Sequence, residues 1–140
     1  MSTEATDPPS SGVYTYDSLL TGTRIGAASL CMDHETLRLW ARVYGPLAKS
    51  EHLPSAAAPL LLMQAFTTIV SPRPPGNLHV SQSCNIYRLP RVGSVIAATV
   101  DCIHKELRGD RRLVDFHIEL RNADGSSLIA SGLTRIFWAL

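Results

Sequence analysis

The stretch Pro59-Leu60-Leu61-Leu62-Met63-Gln64-Ala65-Phe66-Thr67-Thr68-Ile69-Val70 decides the fold, because it is apolar at almost every position and a proline stands at either end. It reads as a helix with Pro59 in the first turn, where the missing N–H has no helical partner to lose. A bilayer-spanning helix needs about 20 apolar residues, so this one is too short to cross a membrane and must be hidden inside protein. A helix hydrophobic on every face needs cover all round, which a strongly curved antiparallel sheet or a partner subunit supplies. Ser71-Pro72-Arg73-Pro74-Pro75-Gly76 ends it.

Downstream the period changes from helical to alternating. Four strands are expected, over 77–87, 94–106, 112–121 and 128–140, joined by hairpin-like turns into an antiparallel run. In 77–87 one face carries Leu78, Val80, Cys84 and Ile86; the other carries His79, Ser81, Ser83, Asn85 and Tyr87. In 112–121 Val114, Phe116, Ile118 and Leu120 point inward, while Asp115, His117, Glu119 and Arg121 point outward. Asn122-Ala123-Asp124-Gly125 is a hairpin signal. Upstream, Asp33 is a good N-cap for a helix whose apolar stripe is Leu37, Trp40, Ala41 and Tyr44, stopped by Gly45-Pro46. Residues 13–26 read as a strand or an extended arm, and 47–58 as a loop. Residues 1–12 read as a disordered leader, leaving 13–140 as a single α+β domain: a curved antiparallel sheet wrapped around a central apolar helix.

Composition narrows the function classes. Lys and Arg number 13 against 12 Asp and Glu, a formal charge of +1, which lacks the basic field of a nucleic-acid binder. Arg108, Arg111 and Arg112 cluster about Gly109-Asp110, a charged turn first and a phosphate contact second. No secretory signal is read in the first residues, and neither nucleic acid nor membrane is an expected partner. Cys31, Cys84 and Cys102 form no Cys-x-x-Cys pair, so no metal site, cofactor or disulfide framework is expected, and the setting is a reducing cytoplasm.

The order of elements resembles the hot-dog fold, and local sequence resembles its MaoC-like, (R)-specific enoyl-CoA hydratase branch. The resemblance rests on Tyr16 with Gly22-Thr23-Arg24-Ile25-Gly26 and on the first helix, Asp33 to Ala41. It extends to Leu89-Pro90-Arg91-Val92-Gly93-Ser94-Val95-Ile96, to Gly125 with Ala130-Ser131-Gly132, and to the Trp138-Ala139 ending. It implies a hydratase or dehydratase (a lyase) acting on an acyl-CoA or acyl-carrier-protein thioester or a polyketide-like intermediate. It also implies pairing, as a homodimer or as a heterodimer with another hot-dog subunit.

The catalytic motif of that branch is degenerate here. Its Asp, set after the first helix and followed four intervening residues later by a His, is replaced by Leu47; His52 alone carries over, with the alignment shifted by one position. Glu51 can substitute for the carboxylate only from another direction. In the family chemistry a carboxylate and an imidazole share one water, so His52 is the first catalytic candidate. His79, on the polar strand face, is the second. Ser81, Gln82 and Asn85 are expected substrate contacts from that strand, and Gln64, the polar residue inside the apolar helix, is expected to find a partner or touch substrate. Free N–H groups near 58–61 offer an oxyanion site at the helix N-terminus. Without the motif carboxylate two further readings stand: a catalytically silent subunit beside an active homologue, and a small-molecule cyclase or binding protein reusing the groove.

Overall fold

The structure is a computed structural model that describes residues 12–45 and 52–139. Its elements are β1 (Thr23–Cys31), α1 (His34–Tyr44), α2 (Ala57–Ile69), β2 (Leu78–Ile86), β3 (Val95–Arg108), β4 (Arg111–Asn122) and β5 (Leu128–Trp138). The strands form one antiparallel sheet in the order β1-β3-β4-β5-β2. Residues 1–11 of the leader fall outside the described residues.

Both helices form where their sequence signals place them. The Asp33 carboxylate accepts from the Thr36 N–H at 2.8 Å, and Gly45 ends α1 with φ 91°. None of α1 is buried, although Leu37 and Trp40 lean on the core and Trp40 stacks on Tyr44 at 4.6 Å. Helix α2 starts two residues before Pro59. Its inner face, Ala57, Ala58, Leu61, Leu62, Ala65 and Phe66, is sealed against the sheet. Phe66 meets Phe116 edge-on at 5.1 Å, and Phe116 meets Trp138 at 5.8 Å. Arg73 donates to the Thr67 and Val70 carbonyls at 2.9 and 2.8 Å, satisfying acceptors that the end of α2 leaves free.

Within the single chain the sheet covers α2 on one side. Pro59, Leu60, Gln64, Thr67 and Thr68 are exposed, so the helix is one-sided and Gln64 looks outward rather than into a core. A face bearing a glutamine and two threonines tolerates water.

Two of the expected strand connections are hairpins and one is not. Strands β3, β4 and β5 are joined in sequence and paired in sequence. Strand β2, however, pairs with β5 at the sheet edge, while β3 lies between β1 and β4. The segment 87–94 therefore crosses the end of the sheet. It is held there because the Tyr87 and Arg88 N–H groups both donate to the Ile129 carbonyl, at 2.8 and 3.1 Å. It follows that 128–138 is an interior strand, and that β2 and β1 are the edges. Gly132 lets β5 take this position: a Cβ there would lie 2.5 Å from the Ser83 carbonyl oxygen and 2.9 Å from Leu62 Cδ1, so no side chain fits between β2 and α2.

Residues 13–22 form an arm across the far end of the core. The Tyr14 N–H donates to the Pro72 carbonyl at 3.1 Å, and the Trp138 indole donates to the Tyr14 carbonyl at 3.0 Å. Lys105 Nζ donates to the Leu19 carbonyl at 2.8 Å and to that of Tyr16, with its charge 4.2 Å from the centre of the Tyr16 ring. No helix among the described residues is long and apolar enough to cross a membrane.

Candidate functional site

The crossing connection makes a cleft of about 830 Å³ at one end of the sheet. One wall is the connection itself, with Arg88, Leu89, Pro90, Arg91, Ser94 and Val95; the other is Ile129 with the β4–β5 turn. Ser94 braces the wall by donating from its N–H and its hydroxyl to the Arg91 carbonyl, at 3.1 and 2.7 Å. Gly93 sits in that turn at φ 78°, a conformation that costs a residue with a Cβ far more. His52 lines the same cleft. An antiparallel bridge ties its backbone to Arg91, and the next residue, Leu53, donates its N–H to the Pro90 carbonyl at 2.8 Å.

A carboxylate also lines the cleft, but it is committed. Asp124 accepts from the Ser126 N–H at 2.8 Å within the β4–β5 turn, and its bonds from Ser126 hold its pKa below the ordinary value. It stands on the surface as a turn-former and is a weak base. Leu47 and Glu51, the motif position and its neighbour, lie outside the described residues.

The helix N-terminus does not provide the expected oxyanion donors. The Ala57 and Ala58 N–H groups donate to the Pro54 and Ser55 carbonyls at 3.0 and 3.1 Å, Pro59 has none, and Leu60 and Leu61 lie where the helical ladder begins. The nearest positive charges to a substrate in this cleft are Arg88 and Arg91, both exposed and without an ion pair among the described residues.

The remaining candidates from β2 do not converge on His52. A register shift between His79 and Ser81 changes the face of the strand. His79 lies opposite Ile136 and Ser81 opposite Arg135, and because consecutive β5 residues alternate, His79 and Ser81 are on opposite faces. The polar row expected to include His79 is thus broken at Val80. His79 is exposed at the strand edge and lines neither this cleft nor the smaller one described next. Ser81 and Gln82 do meet, in a cleft of about 310 Å³ with Ser83, Asp115, Thr134 and Arg135. The Asp115 carboxylate there is held bidentate by Arg135 at 2.7 Å on both contacts, which raises the arginine pKa further and leaves the carboxylate engaged. Gln82 reaches the Pro59 carbonyl at 3.5 Å. Asn85 is exposed opposite Ser131 and lines neither cleft, and Gln64 is on the outer face of α2.

Sequence reading missed Arg88 and the role of Arg91. The Leu89-to-Ile96 motif had marked the segment as a turn, whereas its crossing path makes those side chains a wall. The cysteines match their reading: Cys102 is fully buried, which pushes its thiol up to about 11, and Cys84 is half-buried and raised for the same reason.

No family model matches the chain, and no curated protein matches it. Solved structures do. The unliganded R-hydratase PhaJ1 from Pseudomonas aeruginosa is 16% identical with a TM-score of 0.71, over 89% of this chain and 84% of that one. The MaoC-like dehydratase from Rhodospirillum rubrum is 14% identical with a TM-score of 0.67, over 89% and 97%. The HadBC (3R)-hydroxyacyl-ACP dehydratase complex from Mycobacterium tuberculosis is 17% identical with a TM-score of 0.58, over 78% and 89%. The fold is the hot-dog fold, α+β, and its solved neighbours include (R)-hydratases and MaoC-like dehydratases.

Proposed function

We propose that the protein acts on an acyl thioester as a hydratase or dehydratase, with His52 moving the proton. The observation that carries this is His52 itself, pinned by its bridge to Arg91 on the wall of a cleft of about 830 Å³, between cationic and apolar side chains. Val95, Ile129, Leu89 and Pro90 give an acyl chain an apolar surface.

In the hydration direction the neutral imidazole accepts a proton from water as the water oxygen bonds to the β-carbon. The π electrons of the C=C bond move onto the thioester oxygen as an enolate, and the imidazolium then returns the proton to the α-carbon. Dehydration is the reverse. Since the α2 N–H groups are engaged, Arg88 or Arg91 stabilises the enolate oxygen. Purified chain assayed with crotonyl-CoA should show hydration, and His52→Ala should lower the rate by about 10²- to 10⁴-fold with the fold intact. Full turnover in that variant would end the proposal.

A second reading is a silent subunit that lends its groove to an active homologue. Two observations favour it: Leu47 stands at the motif carboxylate position, and the Ala57 and Ala58 N–H groups are given to the loop before α2. A neighbour that is itself a complex, HadBC, supports the idea of paired hot-dog subunits. No hydration by the chain alone, with activity restored by a co-purifying partner, selects this reading.

A further inference from the structure

We propose that α1 carries a self-association surface, a helix face that pairs antiparallel with α1 of a second copy of this chain. At about 100° per residue, Leu39, Val43, Trp40, Tyr44, Leu37 and Ala41 sweep roughly 200° of the helix, wider than the stripe that one core contact needs. The core uses part of that arc. Leu37 and Trp40 lean on it, whereas Leu39 and Val43 are 55% and 73% exposed and no α1 residue is buried. Helix α1 follows β1, so it begins at the opposite edge of the sheet from β2.

The charges beside the exposed strip select its occupant. Glu35 in the first turn and Arg42 in the last lie on the same flank of Leu39 and Val43. Neither has an oppositely charged side chain within ion-pair distance among the described residues. A twofold axis near Leu39 lays Leu39 against Leu39 of the second copy and brings Val43 toward its Thr36. The same axis sets Glu35 of each helix toward Arg42 of the other, so a single strip satisfies its own charges twice. The antiparallel arrangement also places the positive end of each helix dipole beside the negative end of the other. A partner of one charge sign gains at Arg42 and loses at Glu35. A pair of helices this short buries less than the about 1,200 Å² of a stable interface, so the contact is weak and joins copies at high concentration or within an assembly that another surface already holds.

Sedimentation of the full chain from micromolar to near-millimolar concentration tests this, with circular dichroism to check the fold of each variant. The wild type should gain mass with concentration, and Leu39→Lys should remove one doubling of it. Glu35→Arg alone and Arg42→Glu alone should each weaken that step about tenfold, because like charges then face each other across the pair. An equimolar mixture of these two variants should restore it, since every facing pair is again opposite in sign; a helix lost to substitution cannot be recovered by mixing. Arg38→Glu makes the same charge change farther from the strip and should leave the step alone. A mixture that associates no more tightly than either variant, or a Leu39→Lys chain that sediments as the wild type does, would overturn the proposal. So would binding to phosphatidylserine vesicles that Glu35→Arg strengthens and Leu39→Lys abolishes, which assigns the face to an anionic bilayer.

Discussion

His52 and His79 stand toward opposite ends of β2, a 9-residue strand that spans roughly 30 Å at about 3.3 Å per residue, so they cannot share a substrate atom. If His52 is the acid–base group, His79→Ala should retain wild-type turnover while His52→Ala loses it, as steady-state rates of the two folded variants will show. Both histidines were legible as candidates in the sequence, but their separation was not. It depends on the bridge that ties His52 to Arg91 beyond the far end of β2, a contact distant in sequence that no local pattern shows. Cys102 gives a second residue-scale prediction. Its thiol is pushed up to about 11 by burial, from 9.0, so the folded state holds a proton there that the unfolded state releases. Stability from this group is complete below pH 9 and declines as pH rises toward 11, by roughly 2–3 kcal/mol at most. Tyr14 and Cys84 shift in the same direction. Denaturant midpoints from pH 8 to 11 should fall less steeply in Cys102→Ala than in wild type; equal slopes would show that the buried thiol does not contribute.

Among the elements, α2 and β5 hold the most consequence per residue. Phe66 lies at 4% exposure between α2 and the Phe116 ring, so Phe66→Ala should cost about 3–5 kcal/mol, measured by urea unfolding. Met63 is only half-buried, and its truncation should cost distinctly less. Gly132→Ala should be worse than its single added methyl suggests, about 1–3 kcal/mol, because the Ser83 carbonyl belongs to backbone and cannot turn aside. Strands β2 to β5 and both helices were readable because period and capping are local properties: Asp33 and Gly45 bracket α1, and the alternation from Val114 to Leu120 matches the buried face of β4, whereas β1 was read only as part of a strand or arm ending at 26. Strand order was not readable. Which strand lies beside which depends on contacts distant in sequence, and Leu89-Pro90-Arg91-Val92-Gly93 looks the same whether it joins neighbours or crosses a sheet. Apart from His52, the candidate site went unread for that reason, since the crossing path builds its wall.

Taken whole, the molecule has two open sheet edges, and they differ in what they show to water. On β1 the exposed positions are Ala27, Ser29 and Cys31, all small. On β2 they include Leu78 at 63%, Val80 at 45% and Ile86 at 41%, with Leu60 of α2 and Leu133 of β5 also exposed. A long edge with apolar side chains is a template for another strand unless something covers it. The covering partner proposed here is a second hot-dog subunit, another copy of this chain or a homologue, whose own edge strand continues the sheet. Sedimentation of the purified chain at micromolar concentration should therefore give a dimer or larger species. Val80→Lys and Ile86→Lys each place a charge on that edge and should shift the distribution to monomer without lowering the denaturant midpoint of the monomer itself, because neither wild-type side chain is in the core. A wild-type chain that sediments as a monomer, both alone and with every protein that co-purifies with it, would mean that β2 is shielded within the monomer, and the paired-subunit reading would fall with it.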